Sequence, residues 1–207
     1  MKIQAVKLVE EMLDDGSLVK EWKEQRHNGL RFEGGLHEVH REGDAFDTCV
    51  FSHVKVTGKM NNASMIDVIF RNCDLSLLDM EESFFCRVRF EHCRMKGFQA
   101  INATFRDTVF TGCACQYCNL NESRMKNVLL EESMFQEAGL AMMESKGMKV
   151  SHCDFTGTEF TGTSLSGMDF ADSILVGIQA SQEDFKGMTV NASQAISLLE
   201  ILGIHVK

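Results

Sequence analysis

Residues 153–172 read CDFTG-TEFTG-TSLSG-MDFAD when they are divided into blocks of five. The third residue of every block is large and apolar, the first is small or apolar, and the charged side chains keep to the other positions. A helix repeats every 3.6 residues and a strand every 2, so neither produces this period. The stretch therefore predicts a chain that turns a corner every five residues.

The same phase runs without a slip from residue 60 to residue 190. Chance would place about three of the 15 phenylalanines on positions divisible by five, yet ten lie there. They are Phe70, Phe85, Phe90, Phe105, Phe110, Phe135, Phe155, Phe160, Phe170 and Phe185. Of the 27 block centres in this range only Ser145 is polar. The period therefore extends over most of the chain.

A solenoid explains the pattern if each block forms one side of a square. The block centre and the residue two before it face inward, and the other three residues face water. Four sides make a coil of 20 residues, and successive coils pair their backbones at strand spacing. The absence of proline from the sequence agrees with near-complete backbone pairing. We therefore expect an all-β solenoid in which Phe70, Phe90 and Phe110 stack in one column.

The pattern resembles the pentapeptide-repeat family, with its A-(D/N)-(L/F)-x-x motif, across residues 46–190. That resemblance implies a right-handed quadrilateral β-helix. Phe46, Phe51 and Val56 keep the five-residue spacing but are one residue out of frame with Met60. This offset predicts a first coil shortened by one residue near 57–59.

The region before the repeats, residues 1–45, is expected to form an N-terminal cap. Its apolar residues Ile3, Val6, Val9 and Leu13 have helical spacing and precede an Asp-Asp-Gly-Ser turn signal. This spacing predicts a helix, and residues 18–45 are expected to hold a short helix and an irregular lead-in strand. An open solenoid end would otherwise expose unpaired backbone.

The tail, residues 191–207, carries helix signals. Asn191 and Ser193 offer an N-cap, and Gly203 is placed to end a helix that spans residues 194–202. One interpretation is a cap laid over the last coil. The other adds a two-fold dimer, for which the candidate contact residues are Ala195, Ile196, Leu199 and Leu202. Both interpretations remain open.

The end of the chain, DFKGMTVNASQAISLLEILGIHV at 184–206, resembles the ending of the Qnr-type quinolone-resistance pentapeptide proteins. In that group the tail helix makes a head-to-head dimer, and the protein imitates DNA to bind DNA gyrase or topoisomerase IV. The Gram-negative members carry loops between coils, but residues 60–190 contain no insertion. The chain is therefore closer to the loop-free type of Gram-positive and mycobacterial relatives.

The cysteines could suggest a metal site, but the repeat already accounts for most of them. Cysteine packs well as a small apolar side chain at the inward position. The cysteines that fall on inward positions are Cys73, Cys93, Cys113, Cys115, Cys118 and Cys153. The sequence shows no nucleophile–base–acid arrangement and no glycine-rich phosphate loop. We expect no catalysis, no cofactor and no metal.

Charge is the remaining functional signal. Residues 150–207 contain 2 basic and 7 acidic side chains, so they contribute −5 of the net charge of −9. No Lys or Arg occurs between Val150 and Phe185. The acids of this segment that we single out are Asp154, Glu159, Asp169, Asp172, Glu183 and Asp184. They form either an ordinary solvated surface or a DNA-like surface.

These features favour a cytoplasmic, non-enzymatic DNA mimic whose partner is a type II topoisomerase. Direct binding of nucleic acid is disfavoured because like charges repel. We expect no membrane association, since no apolar run approaches the ~20 residues of a bilayer span. Two alternatives remain: a scaffold or regulator of another protein, and immunity to a gyrase-directed toxin.

Overall fold

The computed structural model describes residues 3–16, 25–201 and 203, and these form a parallel β-solenoid followed by a helix. The elements of the first part are a 3₁₀-helix Glu10–Met12, β1 Asp14–Asp15, β2 Arg26–Asn28, β3 Leu30–Glu33, β4 Leu36–Glu42, β5 Ala45–Ser52, β6 Lys55–Asn61, β7 Ser64–Arg71 and β8 Leu78–Asp79. The elements of the second part are β9 Phe84–Cys86, β10 Arg89–Glu91, β11 Thr104–Arg106, β12 Val109–Thr111, β13 Arg124–Lys126, β14 Leu129–Glu131, β15 Glu144–Lys146, β16 Lys149–Ser151 and α1 Ala192–Ile201. Among these described residues no helix is long and apolar enough to cross a membrane.

The predicted phenylalanine column is confirmed. Parallel pairing joins Phe70 to Phe90, Phe90 to Phe110, Phe110 to Leu130 and Leu130 to Val150, each 20 residues apart. The rings of Phe70 and Phe90 are 5.1 Å apart and those of Phe90 and Phe110 are 4.7 Å apart, and both pairs are stacked. Such ring pairs add about 0.5–1.5 kcal/mol beyond the apolar area that they bury. The coil repeat therefore places equivalent side chains directly on one another.

Four columns of parallel pairs run along the solenoid, which confirms the expected quadrilateral β-helix. We name each face after one buried centre. The Phe90 face holds β7, β10, β12, β14 and β16, and the Phe105 face holds β9, β11, β13 and β15. The Phe135 face contains the bridges from Asp74 to Ile174, and the Phe160 face those from Asp79 to Gln179. Residues 20 apart in sequence thus lie on the same face.

The inward and outward assignments of the repeat agree with the burial of the side chains. Phe105, Phe135, Phe155 and Phe160 are fully buried, as are most residues two positions before a centre. The last outward residue of a block has a left-handed backbone, for example φ 54° at Glu137 and 69° at Gly157. Because a left-handed residue is least strained when it is glycine, this corner explains the glycines that end the blocks at 153–167.

The solenoid begins upstream of the expected boundary at residue 46. Of the short helix and lead-in expected at residues 18–45, the part at 18–24 lies outside the described residues. From residue 26 on, β2, β3 and β4 form a coil that pairs with β5 and β6 instead of an irregular lead-in. The pairing joins His27 to Phe46 and Phe32 to Phe51, and the rings of the second pair are 4.7 Å apart. This coil has 19 residues, so it does not continue the five-residue phase that marks the later coils.

The predicted one-residue deletion near 57–59 is confirmed. Lys55 pairs with Asp74, a spacing of 74 − 55 = 19, whereas Gly58 pairs with Leu78, a spacing of 78 − 58 = 20. The register therefore changes between residues 55 and 58. Gly58 has φ 100°, and a Cβ atom on it would lie 2.1 Å from the carbonyl oxygen of Val39.

The helix expected from Ile3 to Leu13 is not formed. Residues 3–9 have no regular secondary structure, and the only helical turn there is the 3₁₀-helix at Glu10–Met12. The main-chain N–H groups of Gln4 and Lys7 donate to Asp107 and Asp67 instead of to carbonyls of the same segment. Long-range contacts have therefore overridden a helical apolar spacing, and Val9, which belonged to that pattern, is exposed.

Candidate partner-binding surface

The six acids singled out from the sequence do not lie on one face. Asp154 lies on the Phe135 face and Glu159 on the Phe160 face, as their bridges to Ile174 and Gln179 show. Asp169 pairs with Thr189 and precedes Phe170, a centre of the Phe90 face. The acids thus surround the last coils of the rod.

Glu159, Asp169 and Asp172 are exposed to solvent. The Asp172 carboxylate accepts hydrogen bonds from Ser151 Oγ at 2.9 Å and from the main-chain N–H of His152 at 3.2 Å. Desolvation opposes ionisation of Asp172, but these hydrogen bonds outweigh it and lower the pKa of the carboxyl. Asp172 is therefore held in one position as an anion.

Asp184 and Glu183 differ from their expected orientations. Asp184, an outward position of the repeat, is buried and accepts hydrogen bonds from the N–H and hydroxyl of Ser181 and from the N–H of Gly162. Glu183, an inward position, is exposed and forms an ion pair of 2.6 Å with Lys186. The reason is that residues 182–187 form turns instead of a further regular side of the solenoid. Asp184 therefore stabilises the turn and presents no charge to a partner.

Asp154 is also engaged within the solenoid. Its carboxylate accepts hydrogen bonds from the N–H and hydroxyl of Thr156 at 2.9 and 2.6 Å and from Gln136 Nε2 at 2.8 Å. Its side chain is partly buried. Of the six acids, Glu159, Asp169 and Asp172 are thus the ones whose exposed side chains are most accessible to another molecule.

The expected cap at Asn191 is present. Asn191 Oδ1 accepts the N–H of Gln194 at 3.0 Å, and Gln194 Oε1 accepts the N–H of Asn191 at 2.7 Å, which is a reciprocal capping arrangement. Gln194 Nε2 also donates to the carbonyls of Phe170 and Ser173, so α1 is fastened to the last coils. Leu198 is buried against the core cluster. The helix therefore covers the end of the solenoid.

The four residues proposed for a dimer have different environments. Ala195 and Ile196 are exposed, Leu199 is half-buried, and Leu202 lies outside the described residues. Ile201, Ile174 and Val176 add exposed apolar surface on α1 and on the last coils of the Phe135 face. The structure of a single chain leaves the dimer a prediction.

All eight cysteines are free and buried. Burial raises the pKa of the Cys118 thiol to about 12 and that of Cys153 to about 11. Cys93 and Cys113 donate from Sγ to the carbonyls of Phe70 and Phe90. In residues 3–16, 25–201 and 203 no group of three His, Cys, Asp or Glu side chains is arranged to hold a metal ion.

One charged column was not anticipated from the sequence. Arg106, Lys126 and Lys146 follow one another in register on the Phe105 face, beside the pair Arg124 and Glu144 at 3.6 Å. Their positions, 20 residues apart, would have revealed the column if the sequence had been aligned by coil. The charge of the rod is therefore not uniform: this basic column lies on earlier coils than the segment 150–185, which has no Lys or Arg.

Comparison with known proteins supports the repeat assignment. The sequence profile described as pentapeptide repeats matches residues 87–127 and 146–182, in 8 copies. A trypsin-treated variant of QnrB1, a plasmid-mediated fluoroquinolone resistance protein, is similar at 22% identity and a TM-score of 0.39, covering 88% of this chain and 100% of its own. HetL, a pentapeptide repeat protein involved in heterocyst differentiation regulation in the cyanobacterium Nostoc, is similar at 13% identity and a TM-score of 0.47, covering 83% and 94%. Among curated proteins none matches significantly, and the two structural similarities are too low to indicate what this chain binds.

Proposed function

We propose that this pentapeptide-repeat β-helix is a non-enzymatic rod that binds a type II topoisomerase, DNA gyrase or topoisomerase IV, by presenting carboxylates where DNA would present phosphates. The observation that carries the proposal is the segment 150–185, which contains no Lys or Arg. The resemblance of the tail to the Qnr-type group adds the identity of the partner.

The distribution of the acids defines the kind of surface that would accept them. Glu159 and Asp169 are exposed on two different faces at the same end of the rod. A flat partner surface would contact one of these faces only. A basic cleft shaped for a duplex would enclose the end of the rod and reach both. A dimer through α1 would place a second acidic end next to the first and lengthen the anionic surface.

Binding should be electrostatic and therefore sensitive to salt. Exposed charges are screened beyond about 10 Å at 0.1 M ionic strength and beyond about 30 Å at 0.01 M. Exposed ion pairs contribute about 0.2–1 kcal/mol each, so three of them account for roughly a tenfold change in the dissociation constant. We expect a complex with purified gyrase that forms at low ionic strength and weakens as salt is added.

The test compares two triple variants with equal changes of charge. The first carries Glu159→Gln, Asp169→Asn and Asp172→Asn. The control carries Glu82→Gln, Glu122→Gln and Glu132→Gln, three exposed acids of earlier coils. We expect the first variant to bind gyrase about tenfold more weakly and to lose its effect on supercoiling with and without quinolone, whereas the control keeps both. Absence of any complex of the wild-type protein at low ionic strength would exclude the proposal.

The runner-up is a scaffold that binds another protein through a face of the solenoid. The same variants distinguish this scaffold from the DNA mimic. If the first triple variant still binds its protein partner, that binding does not depend on the three acids. Immunity to a gyrase-directed toxin would use the same contact. It would be recognised if the protein relieved inhibition of supercoiling by the toxin but not by a quinolone.

A further inference from the structure

The wall of the solenoid is interrupted between two successive coils near its C-terminal end. Strands β15 and β16 pair with β13 and β14, and they are the last strands of the Phe105 and Phe90 faces. On their other side, no β-bridge and no hydrogen bond between main-chain groups joins residues 143–152 to residues 163–172, all of which belong to the described part of the chain. We call this interruption the opening.

The opening is confined to one junction between coils. One coil earlier, the N–H of Asn127 donates to the carbonyl of Lys146 at 2.9 Å, and one coil later the N–H of Phe170 donates to the carbonyl of Thr189 at 2.9 Å. Gly147 lies 20 residues after Asn127, but its N–H donates to no main-chain carbonyl of the described residues. Regular pairing is therefore present on both sides of the opening.

The burial of the inward centres changes at the opening. Ser145 and Val150 are only half-buried, whereas Met125 and Leu130, the equivalent centres one coil earlier, are 1% and 0% exposed. Beyond the opening, Leu165 is again fully buried. Solvent therefore reaches the core wall at this junction, while the last coils keep a packed core of their own.

Opposite charges across the opening do not pair. Lys149 and Asp169 occupy equivalent positions of successive coils, 20 residues apart, yet these two described residues form no ion pair. At regular junctions charges with this spacing do pair, as Arg124 does with Glu144 at 3.6 Å. The difference agrees with coils that are farther apart at the opening than elsewhere.

The other two faces are closed at the same junction. On the Phe135 face the N–H of Phe155 donates to the carbonyl of Ile174 at 2.9 Å, and on the Phe160 face the N–H of Phe160 donates to that of Gln179 at 2.6 Å. The corner between these two faces lies at Gly157, diagonally opposite the opening. Rotation about that corner would widen or narrow the opening without breaking the closed ladders.

Asp172 links the two coils at one margin of the opening. Its carboxylate accepts hydrogen bonds from Ser151 Oγ at 2.9 Å and from the N–H of His152 at 3.2 Å, and the His152 ring lies 3.4 Å from it. At the other margin, Thr163 Oγ1 accepts the N–H of Met143 at 2.9 Å. Side chains therefore bridge the coils where the main-chain bonds are missing.

We propose that the opening is the movable side of a hinge, that the unit from residue 163 to the end of α1 tilts about the corner at Gly157, and that the Asp172 carboxylate is the latch that keeps the opening narrow. Asp169 and Asp172 lie on the moving unit, whereas Glu159 lies on a closed face. The tilt sets the angle between these acids, and a basic group that binds Asp172 competes with the latch. This last consequence rests on the proposed function, but the hinge does not.

Hydrogen exchange followed by NMR tests the opening in the wild-type protein. The amides of Gly147 and Asp169 should exchange about 100-fold faster, or more, than those of Asn127 and Lys149, their equivalents one coil earlier. The reason is that only the amides of the earlier coil donate to carbonyls. Equal rates at the two levels would show that the ladder is closed and would overturn the hinge.

Electron paramagnetic resonance of spin-labelled protein tests the tilt. Arg106→Cys with Ser166→Cys places two labels on the Phe105 face, which is open, and Gln116→Cys with Val176→Cys places two on the closed Phe135 face. Each pair spans three coils, or about 14 Å. The native cysteines are buried and stay unlabelled. We expect a distance distribution about twofold broader for the open-side pair, and equal widths would contradict a hinge.

Ser151→Ala tests the latch, because it removes a hydrogen bond to Asp172 without removing a carboxylate. It should broaden the open-side distribution further, leave the closed-side distribution unchanged and speed exchange of the Met143 amide. Thr111→Ala, at the same position of an earlier coil, is the matched control and should change none of these. A Ser151→Ala protein indistinguishable from the wild type would overturn the role of the latch. No topoisomerase enters these measurements, so the hinge and the proposed function can fail separately.

Discussion

Gly58 lies where the solenoid changes from a 19-residue to a 20-residue coil, and replacing it with alanine should be costly. Its φ is 100°, and the added Cβ would lie 2.1 Å from the carbonyl oxygen of Val39. Val39 belongs to β4, which pairs with β6 over seven consecutive residues. Because the obstructing atom is backbone, it has no rotamer that relieves the contact.

The expected loss of stability has two parts. A residue with a side chain at this φ costs about 1–3 kcal/mol. Moving the carbonyl away from the new Cβ would disturb roughly two ladder hydrogen bonds, each worth about 1 kcal/mol. The sum is about 3–5 kcal/mol, which corresponds to a decrease of roughly 6–20 °C in Tm for a chain of this size.

The measurement is urea unfolding followed by circular dichroism, with a thermal melt in parallel. Gly167→Ala is the matched control, since Gly167 also has a positive φ, 77°, but nothing lies within 4 Å of its added Cβ. We expect the free energy of unfolding of this control to fall by only about 1–2 kcal/mol, the conformational cost of a side chain at positive φ. Equal losses in the two variants would refute the argument that the shortened coil requires glycine at position 58.

Three further predictions concern the core, the cap of α1 and the buried carboxylate of Asp67. Phe105→Ala should lower the free energy of unfolding by about 3–5 kcal/mol, because Phe105 is fully buried and its ring stacks 4.6 Å from that of Phe85; Phe84→Ala, at an outward position, should cost less than about 1 kcal/mol in the same urea titration. Asn191→Ala removes the N-cap of α1 and should cost about 1 kcal/mol, seen as earlier loss of helical signal on heating. Asp67 has a pKa lowered from its ordinary value of 3.8, because hydrogen bonds from Arg87 and the Lys7 N–H outweigh the opposing effect of desolvation. Its folded pKa is below its unfolded pKa, so the stability difference between wild type and Asp67→Asn should be full above about pH 4 and shrink as the pH falls below it, in urea titrations from pH 6 to pH 3.

Much of the solenoid was predictable from sequence because its restraints are local and repeated. An inward or outward position between residues 60 and 190 depends only on the place of the residue in its block of five. That rule predicted the column of Phe70, Phe90 and Phe110. The same rule placed six of the eight cysteines inside, but not Cys86, which is buried at an outward position. It also located the one-residue deletion before Met60. Where each coil repeats the one before, a short pattern is enough to define the packing.

The candidate site was less predictable, and Asp184 and Glu183 show why. The block rule placed Asp184 outward and Glu183 inward, but turns replace the regular side of the solenoid at residues 182–187. Asp184 is buried there by its bonds to Ser181 and Gly162. The composition of residues 150–185 did reveal an acidic region. Only the coil geometry shows that Glu159 and Asp169 lie on different faces of the solenoid.

The sequence by itself determined the period, the inward columns and the capped helix at the end of the chain, because these depend on neighbours within a few residues or at a fixed spacing of 20. Only the tertiary structure decided the N-terminal part. The coil at residues 26–44 is defined by a 19-residue register and by rings such as Phe32 on Phe51, which no five-residue pattern marks. Residues 3–9 form no helix because Asp67 and Asp107, 60 and 103 residues away in sequence, accept the N–H groups of Lys7 and Gln4. Apolar residues three or four positions apart are compatible with a helix. Their spacing contains no information about hydrogen-bond acceptors that are so distant in sequence.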